Sequence, residues 1–419
     1  MKRLVAIGAI WFFCAMAWMV LGSTVVYRSG DADNQLTQEV HRLWGAPIEQ
    51  APPHASFRIT KKVKETVTNY DPQGRPVPSM IERDLEEIVP ISLDASAIAA
   101  RLELEHRRKG LMWFPTYGVD FHADYSFRND SPAPRAVTVT LPLAVVNAGF
   151  DGFVVKDAAG NPVTTSIMPG GASWSDSFAP GETRKYSVAY RSRGTSSWRY
   201  GLTEGTGQVK GFTLTMDTDF PNIDFPAGTM SPSHQSVSGS SWHGSWEFES
   251  LIASAGIGVD LPRRINPGPL ASRITFFAPI GLLFFFFVVA VFAAAQRRNL
   301  HPLNYFFFGC AFFAFHLLFA YLVDHLAIAP AFATASAVSV FLVVTYARLF
   351  VGWGFALREM AIAQVLYLVL FSFTFFWEGF TGLAITVGAI LTLFVMMQVT
   401  GRVKWDEVGG SPAPRPAST

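Results

Sequence analysis

Six apolar runs constrain this chain more than any other feature, each close to the ~20 residues that cross a hydrocarbon core as a helix. One is N-terminal, Leu4 to Val26, and follows Lys2 and Arg3. The other five crowd the last third: Phe276 to Ala295, Tyr305 to Val323, Ile328 to Ala347, Phe355 to Phe376 and Phe380 to Val399. A bilayer admits only segments that satisfy their own backbone hydrogen bonds. The sequence thus predicts a multi-span α-helical membrane protein with a large segment inserted after the first transmembrane helix. The first run contains Ala15-Met16-Ala17, a triplet of the kind cut after a signal peptide. Apolar residues continue past it through Met19, Val20 and Leu21, so it is read as an uncleaved anchor. The expected divisions are an anchor over 1–26, an inserted domain over 27–272, a five-helix bundle over 273–400 and a tail over 401–419.

Basic residues gather at the cytoplasmic ends of spans. With six spans and both termini cytoplasmic, Lys2, Arg3, Arg297, Arg298, Arg348, Arg358, Arg402 and Lys404 all fall on that side. The opposite turns carry Asp324, His325 and Glu378 without a Lys or Arg. The insert is therefore expected outside the cytoplasm.

Four polar residues stand out against the apolar bundle: His316, Asp324, His325 and Glu378. Asp324-His325 reads first as a solvated turn that ends the third span, with Ala329-Pro330 opening the next helix. The rival reading is a polar site at the outer face, shared with Glu378. His316 lies mid-span, about 12 Å along the axis and about 80° round the helix from Asp324, so the two cannot touch. A hydrogen bond to a neighbouring helix is expected for His316, and the same for Gln364. Arg358-Glu359 reads as a snorkelling pair. Cys14 and Cys310 are the only cysteines and read as small core residues, so the insert folds without disulfides.

The insert alternates in short runs separated by turn residues. Thr116 to Arg128, Ala136 to Leu143, Phe153 to Val155, Ser173 to Phe178, Arg184 to Arg191, Gln208 to Met216 and Ser245 to Leu251 predict strands of an all-β, sandwich-like domain. Phe57 to Tyr70 also reads as a strand, whereas Ile81 to Glu87 and Ala95 to Ala100 read as short helices. Lys62, Lys64, Arg101, Arg107, Arg108 and Lys109 make this first part locally basic, a solvated face or one that lies near anionic head groups.

The net charge of +1 and the lack of a dense basic tract argue against nucleic-acid binding. The insert has no HExxH or HxxxH pair, no GxSxG elbow and no CxxC. No catalytic residues, cofactor or metal are expected. Trp242, His243 and Trp246 read as a packed hairpin, and Asp219 and Asp224 as part of a rigid turn rather than a calcium loop.

Two regions resemble the CreD family of bacterial inner-membrane proteins. One is Val89 to Phe127, where Lys109-Gly110, Trp113, Pro115 and Tyr117 precede a strand. The other is the bundle, where GCAFFAFHLLFAYLVDH ends in an acid-His pair and VTGRVKWDE carries a basic-x-x-Trp segment. The resemblance implies an inner-membrane location with a periplasmic domain and a link to cell-envelope integrity and stress response; it implies no catalytic residues. The expected function is non-enzymatic, with the periplasmic domain binding or bracing an envelope component. Its partners would be the lipid bilayer and an envelope protein or peptidoglycan-associated component; no oligomeric state is implied. The alternative is a small-solute transporter or channel that uses the bundle.

Overall fold

The computed structural model describes residues 2–401 apart from 71–75, 144–148, 203–207, 254, 297, 299 and 378. It divides into a membrane unit (Met1–Gln35, Gly110–Met112, Ile265–Thr419) and a β unit (Leu36–Lys109, Trp113–Arg264).

Among the described residues, five helices are long and apolar enough to cross a membrane. The first, α1 (Lys2–Trp44), continues well past Val26, where the apolar run ends. The polar stretch after Val26 keeps good helix formers such as Gln35, Leu36, Gln38 and Glu39, and nothing breaks it before Gly45 at φ 101°. Then come α2 (Pro267–Ala295), α3 (Pro302–Leu322), α4 (Ile328–Phe355) and, after an irregular stretch, α5 (Thr381–Thr400). Helical residues follow one another from Ile328 to Phe376, yet they form two spans. Gly352 sits at φ 81°, ψ 165° inside it. Beyond that point Gln364 Nε2 bonds Ser339 Oγ at 2.8 Å and the Phe376 ring lies 5.3 Å from Phe332. In a straight helix Phe332 and Phe376 would stand about 66 Å apart. The chain therefore reverses at Gly352, and a fifth span, 353–376, packs back along α4. Two π-helical turns, Ala356–Met360 and Val365–Leu370, interrupt that span.

Close approach of the spans uses small residues. A Cβ on Gly309 would meet Cys14 Sγ at 2.8 Å, and one on Gly281 would meet the Tyr367 carbonyl at 2.5 Å. Cys14 is thus a packing residue. Cys310 is exposed on the bundle surface, contrary to expectation.

The β unit has fifteen described strands. They are β1 (Ile48–Gln50), β2 (His54–Tyr70), β3 (Pro76–Ile91), β4 (Leu93–Lys109), β5 (Met112–Arg128), β6 (Arg135–Pro142), β7 (Phe150–Asp157), β8 (Ser166–Met168), β9 (Gly171–Phe178), β10 (Thr183–Thr195), β11 (Ser197–Tyr200), β12 (Gln208–Thr218), β13 (His234–Ser238), β14 (Ser241–Ile252) and β15 (Ile257–Asp260). A seven-stranded sheet runs β13-β14-β12-β4-β5-β10-β7, a five-stranded one β3-β2-β6-β9-β8 and a three-stranded one β1-β11-β15. Their inward residues meet in one core: Phe57, Val139 and Trp174 from the second sheet, Tyr125, Val188 and Leu214 from the first, Ile48 and Trp198 from the third.

The strands predicted from alternation are all present. The two short helices are not: Ile81–Glu87 lies in β3 and Ala95–Ala100 in β4. Helix-forming Glu and Ala occupy both stretches, but β3 pairs with β2 along its length and β4 is held between β5 and β12. Tertiary pairing overrides local preference there. The first part is not locally basic either. Register sets Lys62 opposite Asp84 and Lys64 opposite Glu82, while Lys61 pairs with Glu87, Glu65 with Arg83 and Arg58 with Glu86.

Candidate functional site

In the membrane unit the predicted polar residues do not assemble. His316 is buried, and its Nδ1 lies 2.9 Å from the Phe312 carbonyl of its own helix, not a neighbouring one. Its ring stands edge-on to Trp18 and Phe315, with centroids 5.5 and 4.8 Å away. A residue one helical turn back offers a carbonyl without any interhelical partner, which is why His316 needs none. Asp324 forms an ion pair with Arg28 at 3.0 Å. The same guanidinium donates to the Ala320 carbonyl at 2.8 Å and covers the Tyr321 ring at 4.7 Å. Arg28 thus clasps the carbonyl end of α3, where a cation is favoured. His325 is exposed in the turn, its backbone N–H bonded to Leu322 O. Glu378 lies outside the described residues. Gln364 is buried and binds Ser339, which in turn donates to the Ala311 carbonyl, so one chain of hydrogen bonds ties three spans. Arg358 snorkels as expected, with its side chain 80% exposed; Glu359 does not, at 11%.

The β unit holds the more developed feature. The outward face of its large sheet is low along the centre. Ala97 and Ala99 on β4, Ser126 on β5, and Ser187 and Ala189 on β10 place short side chains where long ones would stand. Three adjoining cavities follow this line, of about 440, 330 and 740 Å³. Residues Ala95 to Glu103 of β4 border them in turn, so the trough extends for about 26 Å along the strands.

Charged residues both cross and flank the trough. Asp120, Arg191 and Asp151 form one row across three strands, and Arg191 binds Asp151 at 2.6 Å. Arg101, Asp217 and His243 form another, with His243 Nδ1 2.8 Å from Asp217 Oδ1. Asp124 stands beside His122 at 3.7 Å. Arg42 and Arg193 line the widest end, and Arg193 lies 5.2 Å over the Trp44 ring, which also carries Arg107. Exposed alanines are depleted in strands. The alternating Ala95, Ala97 and Ala99 were the one sequence signal for this trough, and the helix-like reading of that stretch concealed it.

Beneath the floor, aromatic residues fix the sheet. Tyr190 stacks on Phe121 at 4.7 Å and donates to Gln50 Oε1 at 2.7 Å. Tyr117 donates to the Ser197 carbonyl, Tyr125 and Tyr200 share a hydrogen bond, and Tyr186 donates to Asp176. Burial pushes all five phenols above the usual range, with the Asp176 carboxylate adding to the shift at Tyr186. Trp242 and Trp246 are core residues, so the predicted packing hairpin is present, and Asp219 accepts from the Leu104 N–H. Among the described residues no three His, Cys, Asp or Glu side chains group to hold a metal ion.

Comparison with known proteins gives one strong match and several weak ones. No curated protein sequence matches. Among solved structures, a Legionella pneumophila protein provisionally described as nutrient binding shares 12% identity; the alignment covers 62% of this chain and 83% of the other, at a TM-score of 0.33. An M1 zinc metallopeptidase of Deinococcus radiodurans shares 11%, over 78% of this chain and 96% of the other, at 0.22. A two-domain M1 zinc metallopeptidase variant bound to L-arginine shares 12%, over 40% of this chain and 42% of the other, at 0.22. At such scores these likenesses carry no argument. The family described as inner membrane protein CreD matches residues 181–406, more than half of the chain, spanning the β unit from β10 onward and the helices that follow it. The chain belongs to the CreD family of inner membrane proteins.

Proposed function

We propose that this protein supports cell-envelope integrity without catalysing a reaction, by holding an extended envelope component in the trough of its β unit. The observation that carries the reading is the trough itself: three adjoining cavities with small side chains on the floor, crossed and flanked by residues of both charge signs. A ligand that lies along strands for such a length is a polymer, a peptide segment or a glycan strand. Such a component is met outside the cytoplasm, and charge favours a periplasmic β unit with both termini inside. Arg298 donates to the Val351 carbonyl and Gln296 to Glu359, so the basic ends of α2, α4 and the fifth span share one side of the bundle.

The non-enzymatic part rests on the trough's chemistry. Its histidines pair with single carboxylates on an open face, and among the described residues no hydroxyl or thiol is hydrogen-bonded to either histidine. Two of the residues that motivate the transporter reading are engaged locally. His316 is bonded within its own helix and Asp324 is paired with Arg28.

The test is complementation of a deletion strain, scored by sensitivity to detergent and a β-lactam. One chain is full-length; the other keeps residues 1–264 and replaces all later spans with one unrelated helix. Rescue by both supports the reading, and failure of the short chain at matched membrane level moves the function into the bundle.

A further inference from the structure

The membrane unit contains a cleft of about 680 Å³ that the proposed function does not use. Its walls are α2, the fifth span and α5. Phe284 and Phe292 close the back. Ile362, Leu366 and Leu370 on one wall and Leu391 and Val395 on the other show large exposed apolar surfaces. The cause is visible in the helices. α5 buries only Thr392 and Met396 and meets the fifth span through the Tyr367–Thr392 hydrogen bond at 2.9 Å. Both π-helical turns of the fifth span contribute residues to the same cleft, Arg358 and Glu359 from one, Leu366 and Tyr367 from the other. π-turns of this kind recur at functional positions.

One end of the cleft is polar. Glu359 Oε1 accepts from Gln296 Nε2 at 3.1 Å and from Arg358 at 3.2 Å. Glu359 Oε2 is shielded from solvent and has no hydrogen-bond partner among the described residues. A carboxylate oxygen left without a donor inside a span is costly. Arg358 presents the opposite charge beside it with its side chain 80% exposed. From Glu359 to Thr374 the cleft extends about 22 Å, most of the ~30 Å hydrocarbon thickness.

We infer that this cleft binds one membrane phospholipid with an ammonium-bearing headgroup. An acyl chain fills the apolar length, where an empty gap between spans would forfeit dispersion contacts. The headgroup ammonium supplies donors to the Glu359 carboxylate, which turns toward it from its Arg358 contact. The Arg358 guanidinium then takes the phosphate. A lipid that has the phosphate but no ammonium satisfies only half of this arrangement.

The test uses the full chain in nanodiscs of equal parts phosphatidylethanolamine and phosphatidylglycerol. It is released into the gas phase, and retained lipid is identified by native mass spectrometry. The expected result is a single adduct that favours phosphatidylethanolamine by about tenfold or more, the worth of one hydrogen bond to an ionised group. Glu359→Gln should bring the two lipids to parity. Leu366→Trp, a substitution on the exposed wall that leaves the polar end intact, should abolish the adduct at an unchanged unfolding temperature. Equal retention of both lipids by the native chain overturns the proposal, as does an adduct that survives Leu366→Trp. The Leu366→Trp arm stands even where Glu359→Gln fails to fold.

Discussion

Arg28 and Asp324 meet at 3.0 Å, joining the polar continuation of α1 to the turn after α3. The carboxylate is the smaller part of what Arg28 does there. Both side chains are well over a third exposed, at 38% and 44%, a setting in which an ion pair is worth about 0–1 kcal/mol. Arg28 also holds the Ala320 carbonyl and the Tyr321 ring. Asp324→Asn should therefore cost less than about 1 kcal/mol and Arg28→Ala about 1–2 kcal/mol. Unfolding of the full chain in detergent measures both, and equal losses would contradict this ranking.

The reversal at Gly352 gives a sharper test. Its φ of 81° with ψ of 165° belongs to backbone that L side chains avoid, and an added Cβ there meets nothing within 4 Å. The penalty for Gly352→Ala is therefore purely conformational, about 1–3 kcal/mol. Gly354, two residues on, has open space and no positive φ. Gly354→Ala should be neutral or slightly stabilising. The pair is compared by unfolding temperature and membrane yield, and indistinguishable variants would mean that the chain does not turn at Gly352.

Two buried polar side chains in the bundle should respond differently. Gln364→Leu removes the bond to Ser339 and should cost about 0.6–1.7 kcal/mol, the range for hydrogen bonds between membrane helices. His316→Phe gives up a bond to its own helix and keeps the edge-on contacts with Trp18 and Phe315. It should complement the deletion strain as well as the native chain does. A His316→Phe chain that is stable yet inactive would return the function to the bundle.

The β unit predicts a pH dependence. Tyr117, Tyr125, Tyr186, Tyr190 and Tyr200 are all held above the ordinary phenol value by burial. A group whose folded pKa is raised stabilises the fold fully below its unfolded value, about 10 for tyrosine, and loses that contribution as pH rises beyond it. These five should leave stability flat through neutral pH and lower it above about pH 10. Phenolate absorbance should show exposed tyrosines titrating first, with the buried ones appearing only as the unit unfolds. A single transition of all 11 tyrosines in folded protein would contradict the packing.

The spans and most of the strands were legible in the sequence because one-dimensional pattern determines them. Hydropathy marks Phe276 to Ala295, and alternation marks Tyr117 to Phe127, whatever packs against them. The errors have a common source. Ala95 to Ala100 looks helical until β12, more than a hundred residues away, pairs with it in parallel and puts Ser96 opposite Phe212. The extension of α1 to Trp44 escaped because hydropathy ends at Val26 while helix propensity does not. The balance of Lys62 and Lys64 by Asp84 and Glu82 depends on hairpin register, which composition does not carry. The trough is least legible of all. Its floor draws on β4, β5 and β10, and a side chain's shortness matters only beside the neighbours it fails to reach.

The central claim is that the trough carries the function, and filling it is the most direct measurement. Ala99 and Ala189 face outward on its floor, so Ala99→Trp and Ala189→Trp add bulk to the cavity and none to the core. The account predicts that the doubly substituted full chain reaches the membrane at the native level, unfolds at the native temperature and fails to restore detergent and β-lactam resistance in the deletion strain. Full rescue by that chain would contradict it.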